Sequence, residues 1–343
     1  MITVLPIRFF NYNPYGYLFK KSLQKKGIRF IDSKRAPLKQ ALKSNKIDII
    51  HFHWLNYLFN YETLSSAIRS SFRFFCLLIR LKIRGMRCCW TIHNIQPHEN
   101  RRPIINFIDY FIMAIIADSV VVLSNWQKKQ VKKIFRVNNE KIFIAPHANY
   151  IGYYKNCCSR DEAREYLGIS KTKFVYLFFG RIRKYKGIID AIEIFRNNRK
   201  GNDILLIAGR LNNRDLEGQI SALKDDSVIL HLKAIENDEV QCYFNAADVC
   251  IFPFKKITNS GSVLLAMSFG KPVICPNKGS LIEVVKPTFG ICYSEGELAK
   301  AMNDIRDKNL ERMGKVSYEE AKKYNWDDTA DNYLKAYEYA LKQ

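Results

Sequence analysis

The chain has 343 residues, 48% of them apolar and 26% charged, the composition of a folded protein too long for one hydrophobic core, so two domains are expected. Its 55 Lys and Arg against 33 Asp and Glu leave a formal charge of +22. Residues 1–150 hold 25 basic and 7 acidic side chains, +18, which leaves only +4 for the other 193; a basic half suits nucleic acid, an anionic membrane or an anionic substrate, and charge alone does not choose among them.

The start, MITVLPIRFF, lacks a basic segment followed by an apolar stretch, and no run of eighteen uncharged apolar residues follows it. Neither secretion by that route nor a membrane span is therefore expected. The nine cysteines are scattered, with no paired Cys-x-x-Cys; reduced thiols are expected rather than a zinc site or a disulfide framework.

In chain order, short β-branched runs at 2–6, 47–52, 88–92, 119–123 and 142–145 alternate with helical stretches and read as buried parallel strands. The pattern restarts with 174–179, 204–208, 228–230, 249–252 and 273–275. An α/β chain of two Rossmann-like domains facing across a cleft is predicted. The polar, Tyr-rich stretch from Asn149 to Lys173 reads as the linker, with one short helix starting near Ser159 whose first turn carries Asp161 and Glu162. The domains are thus set at 1–149 and 150–326. The final helix, 327–343, spaces Tyr333, Ala336, Tyr337 and Ala340 along one face, which needs a surface to bury against.

Four segments carry candidate chemistry. In FFGRIRKYKG a strand runs into Gly180-Arg181 and Lys186-Gly187 ahead of a helix; glycine lets backbone approach an anion, and two cations can neutralise a diphosphate. A solvated basic loop is the plainer reading. In FPFKKITNSGSVLLAMSFGKPVICP, Ser260-Gly261-Ser262 precedes an apolar helix predicted from Val263 to Phe269 and forms either a phosphate-binding nest or an ordinary cap. His51, His53, His93, His98 and His147 all fall at or past strand ends of the first domain, where an open parallel sheet lines its ligand crevice. Some are expected to be core residues, and a metal pair at His51 and His53 is the alternative, though no acidic cluster accompanies it. Finally, the helix within 65–85 mixes Ile68, Phe72, Phe75, Leu78, Ile79 and Ile83 with Arg69, Arg73, Arg80, Lys82 and Arg84, which fits either an interfacial helix or a buried helix with a basic edge.

Taken in this order, the segments resemble glycosyltransferase family 4 and its GT-B relatives, the group 1 glycosyltransferases, from first strand to last helix. The Gly-Arg…Lys-Gly loop is followed by LLIAGR, by the Ala-Asp strand AADVCIFP, and by Ala266, Met267, Gly270, Pro272 and Val273 of an Ala-Met-x-x-Gly-x-Pro-Val helix. The resemblance implies that Arg181 and Lys186 grip the donor diphosphate beside Gly180 and Gly209, and that Ser260, Gly261 and Ser262 contact the phosphates. By the same resemblance His93 lies near the transferred sugar, and Asn13, Pro14, Tyr15, Trp54 and Asn94 face the acceptor. The last helix crosses back onto the first domain.

One departure stands out: the family's two glutamates, eight positions apart, are here Ile257 and Leu265. Thr258, Asn259, Ser260 and Glu283 are the substitutes expected for donor recognition, unless the chain is a catalytically silent nucleotide-sugar binder. The resemblance implies a metal-independent, retaining transfer from a nucleoside-diphosphate sugar to a lipid-linked glycan in polysaccharide or lipopolysaccharide assembly. If a base is needed, His93, His53 and Glu99 are the candidates. No cofactor beyond the sugar donor is expected. The +18 domain and Arg69, Arg73 and Arg80 are expected to hold the protein on the anionic inner face of the cytoplasmic membrane. Base-reading and aromatic-platform motifs are absent from the basic residues, so nucleic acid is not an expected partner.

Overall fold

The structure, a computed structural model, describes residues 1–9, 14–31, 38, 41–42, 44, 46–59, 61–95 and 102–343. The chain forms two compact units, Met1–His147 with Trp326–Gln343, and Ala148–Asn325.

The first unit is built on a parallel sheet of β1 (Thr3–Ile7), β2 (Arg29–Phe30), β3 (Ile49–Phe52), β4 (Arg87–Thr91), β5 (Ser119–Val122) and β6 (Ile142–Ile144) in the order β2-β1-β3-β4-β5-β6. Its central strands read IIHF, RCCWT and SVVV and are buried on both faces, as parallel sheets covered by helices require. Asp118, just before β5, accepts from the Cys88 amide at 2.7 Å and from Lys82 Nζ at 2.8 Å, which locks the start of β4 to β5. Helices Leu64–Ile83 and Pro103–Ile116 contribute to the core on one face. The other face is covered by Pro14–Lys25 and by Trp326–Leu341, whose Tyr333, Ala336, Tyr337 and Ala340 are fully buried there. The predicted spacing of the last helix is thus satisfied by this sheet.

The second unit repeats the plan with β7 (Phe174–Phe179), β8 (Asp203–Ala208), β9 (Val228–His231), β10 (Val249–Ile251), β11 (Val273–Pro276) and β12 (Gly290–Tyr293), all parallel, in the order β12-β11-β10-β7-β8-β9. Ser159 caps the helix Arg160–Tyr166 reciprocally with Glu162. Asp248 does at β10 what Asp118 does at β5. It accepts from the Val175 amide at 2.7 Å and pairs with the fully buried Arg164 at 2.8 Å, so the Ala-Asp motif is a device of the fold. Because the chain leaves β7 toward β8 and β9 and then returns to β10 on its other side, the carboxyl end of β7 lies at a topological switch point, where doubly wound sheets bind ligands.

Two strands go beyond the predicted set. Both are edge strands: β2 has two residues, and β12, GICY, lacks a β-branched run.

Candidate functional site

At the switch point β7 ends in Gly180, whose φ of +131° is a glycine conformation. A Cβ there would lie 2.7 Å from Ser262 Oγ and 3.6 Å from Lys186 Nζ, so the two predicted phosphate-binding segments converge on this glycine. Gly209, after β8, stacks on it: φ is +144°, and a Cβ would come within 2.1 Å of the Gly180 carbonyl oxygen. The basic turn is pinned from the far side, where Gly187 packs against the Pro253 carbonyl so tightly that a Cβ would sit 2.1 Å from its oxygen.

The helix after Ser260 begins at Gly261, two residues earlier than predicted, and runs to Ser268. Gly261 and Ser262 therefore lie in its first turn, whose N–H groups lack intrahelical partners and carry the positive end of the dipole. Ser260 is spent as the cap, its Oγ accepting from the Val263 amide at 3.3 Å. Lys186 is half-buried, its Nζ 5.6 Å from the centroid of the Phe178 ring and 5.5 Å from that of Phe254. Burial, then the guanidinium groups of Arg181 and Arg183, push its ammonium down to about 8. No described carboxylate forms a salt bridge with it. A cation held against its own desolvation, beside a helix amino terminus and glycine backbone, suits an incoming polyanion. Arg181 is exposed at the rim.

The loop carrying Thr258 and Asn259 is braced from behind. The Ser280 amide donates to the Thr258 carbonyl at 2.9 Å, and a Cβ on Gly279 would lie 2.6 Å from the Ile257 carbonyl oxygen. Thr258 is 9% exposed and Leu265 7%. Glu283 follows on the short helix Leu281–Val284, where its charge acts on the Tyr324 phenol; Lys186 responds instead to Arg181 and Arg183.

In the first unit His51, His53 and His93 form a buried cluster, with the half-buried His147 beside it. His51 is a structural member: one ring nitrogen meets Tyr337 Oη at 2.8 Å and the other Thr91 Oγ1 at 2.7 Å. Both nitrogens are engaged, which corrects the alternative of a metal pair at His51 and His53. His53 Nδ1 shares a proton with His93 Nε2 at 3.0 Å, and the buried His53 Nε2 has no hydrogen-bond partner among the described residues. Trp54 stacks on His93 with centroids 4.3 Å apart and planes 10° apart. Tyr15 lies 5.7 Å from His93 and 4.8 Å from His147, centroid to centroid. Burial, reinforced by neighbouring imidazoles, lowers His51 and His93 to about 3 and drives His53 well below its ordinary value, so all three are neutral near pH 7.

Pro14 opens the helix bearing Tyr15, and Asn94 is half-buried next to His93. Asn13, His98 and Glu99 lie outside the described residues.

Arg69, Arg73 and Arg80 are exposed along the helix Leu64–Ile83. This helix has three faces rather than two. Ala67, Phe74, Leu78 and Leu81 enter the core, the arginines form one outer edge, and between them Leu64, Ile68, Phe72, Ile79 and Ile83 make an exposed apolar stripe in which Phe72 is 69% and Ile83 80% exposed. The sequence reading missed a second such element, the helix Pro103–Ile116 (PIINFIDYFIMAII). It presents Ile104, Phe107, Ile108 and Ile115 outward, Ile104 at 75% exposure, and its one charge, Asp109, is turned inward to Tyr61 and Ser71. A fourteen-residue run with a single charge was the available signal. Among the described residues no helix is long and apolar enough to cross a membrane.

Known proteins are similar to this chain in sequence and in fold. Residues 159–323 match the family model described as glycosyl transferases group 1. A GDP-mannose:glycolipid 4-beta-D-mannosyltransferase from Xanthomonas campestris is 25% identical over 276 residues, spanning 77% of this chain and 72% of that one. The fold is similar to that of Anabaena HepE crystallised with UDP and glucose (TM-score 0.75, 14% identity, 98% and 99% of the two chains). It is also similar to that of WaaG, a glycosyltransferase involved in lipopolysaccharide biosynthesis (TM-score 0.69, 14% identity, 99% of each chain). Two doubly wound units, the second with a Gly-Arg…Lys-Gly loop at its switch point, have the GT-B fold, and the second unit carries the match to the group 1 glycosyl transferases.

Proposed function

We propose that the protein moves a sugar from a nucleoside-diphosphate sugar to a lipid-linked glycan in cell-surface polysaccharide or lipopolysaccharide assembly, on the cytoplasmic face of an anionic membrane. The observation that carries the donor half is the convergence of Gly180, Lys186 and Ser262. Transfer leaves a nucleoside diphosphate whose charge must be stabilised as the glycosidic bond breaks, and an ammonium, a guanidinium and a helix amino terminus supply that without a metal ion.

The acceptor half is supported by the glycolipid named for the Xanthomonas relative. The membrane half rests on the two outward apolar stripes, the arginine edge and the +18 charge of residues 1–150. Retention of configuration, with the departing phosphate taking the acceptor proton, is the proposed course. An inverted product would assign that proton to the His53–His93 pair.

The test is transfer of labelled sugar from UDP- and GDP-sugars into a bacterial lipid extract, with and without EDTA. Chelator-resistant labelling supports the reading, and labelling abolished by EDTA and restored by a divalent cation overturns its metal-free half.

A further inference from the structure

β11 and β12 lie side by side at one edge of the second sheet, in register Cys275↔Cys292. The two thiols sit with their sulfurs 3.7 Å apart, Cys275 buried and Cys292 half-buried. Neighbouring strands run about 4.8 Å apart, inside the Cα separation a disulfide spans, and closing the sulfurs to about 2.05 Å needs a shift of under 2 Å on a strand with a free edge. From these facts we infer that Cys275 and Cys292 form an oxidisable dithiol, a modification site that closes to a disulfide when the protein meets a hydroperoxide.

The chemistry is asymmetric. The two sulfurs share a hydrogen bond in which either can donate, and with Lys286 near Cys292 the shared proton is drawn to Cys275, which lowers Cys292 and raises its partner. Cys292 is also the more accessible sulfur. Its thiolate attacks the peroxide oxygen, giving a sulfenic acid and releasing water or alcohol. Cys275 then attacks that sulfur and expels the sulfenic oxygen as water, so two thiols are oxidised as one peroxide is reduced. The pair is placed to matter: β11 leads directly into Gly279 and Ser280, which brace Ile257 and Thr258. That bearing on donor binding rests on the function proposed above, whereas the thiol chemistry does not.

The experiment treats the full chain with hydrogen peroxide, alkylates it and maps its peptides, with amide hydrogen exchange in parallel. A Cys275–Cys292 linked peptide is expected, reversed by dithiothreitol, with exchange across 290–293 slowed tenfold or more. In Cys275→Ser, Cys292 is expected to be trapped by dimedone as a sulfenic acid; in Cys292→Ser, Cys275 stays reduced. Oxidation of Cys292 to the sulfinic acid without a linked peptide, or a pair no more reactive than buried Cys250, overturns the proposal. An unchanged exchange pattern at 277–284 in the cross-linked protein removes the link to the donor loop, whatever nucleotide the reduced protein binds.

Discussion

Gly180 and Ser262 meet so closely that a methyl group on the glycine would lie 2.7 Å from the serine hydroxyl oxygen. The contact joins the end of β7 to the first turn of the helix Gly261–Ser268, and it leaves room at that point for backbone alone.

Gly180→Ala is therefore expected to be costly on two counts, a backbone at φ +131° and a collision with Ser262. A strained backbone of this kind costs about 1–3 kcal/mol. Calorimetry is expected to show nucleoside-diphosphate affinity falling roughly tenfold or more. Affinity equal to that of the unaltered protein would show that the anion binds elsewhere.

Lys186 gives a pH dependence of definite sign. Its ammonium, lowered to about 8 in the free protein, is raised again when an anionic diphosphate binds, so binding takes up a proton above pH 8 and weakens as pH rises further. Titrations in buffers of differing ionisation enthalpy measure that uptake directly. Lys186→Ala is expected to lose roughly 10- to 100-fold in affinity, the range for a hydrogen bond to a charged group, and to abolish the proton uptake. Unaltered uptake in the variant would assign the proton to another group.

The histidine cluster sets an acid limit on stability. Because His51 and His93 fall from 6.5 to about 3 on folding, their contribution is complete above the unfolded value and is lost as pH drops from there toward 3. Each adds up to about 1.4 kcal/mol of destabilisation per pH unit within that window. Thermal melting between pH 7 and 4 is expected to decline steeply in the unaltered protein and less steeply in His53→Gln, which removes one depressed imidazole. Equal slopes would contradict the buried neutral cluster.

For the membrane, replacing Arg69, Arg73 and Arg80 with glutamate is expected to release the protein from phosphatidylglycerol vesicles at low salt. Ile104→Ser with Phe107→Ser should weaken binding even in high salt, where arginine attraction is screened. Sedimentation that matches the unaltered protein in both variants would remove these helices from membrane contact.

Much of this was legible from residue pattern, and the misses share a cause. Strands buried on both faces announce themselves as β-branched runs, and a Gly-Arg…Lys-Gly loop after such a run places glycine and two cations at a strand end. β2 and β12 were hidden because edge strands are short and need no apolar run. The start of the helix at Gly261 was missed because glycine and serine have weak helix propensity, and here the Ser260 cap and the site decide it. Which histidines are core residues was not legible, because sequence shows His51 but not the Tyr337 and Thr91 that engage both its nitrogens, the first of them 286 residues away. Asp109 concealed the apolar character of its helix, since a charge in sequence reads as solvent-facing until its inward partners are seen.

The central claim, that Gly180, Lys186 and Ser262 form a seat for the donor's diphosphate, is tested most directly by isothermal titration of UDP and GDP into the unaltered protein and Lys186→Ala at pH 7. At least one nucleotide should bind the unaltered protein and lose most of its affinity in the variant. Binding of neither nucleotide, or equal binding to both proteins, would contradict it.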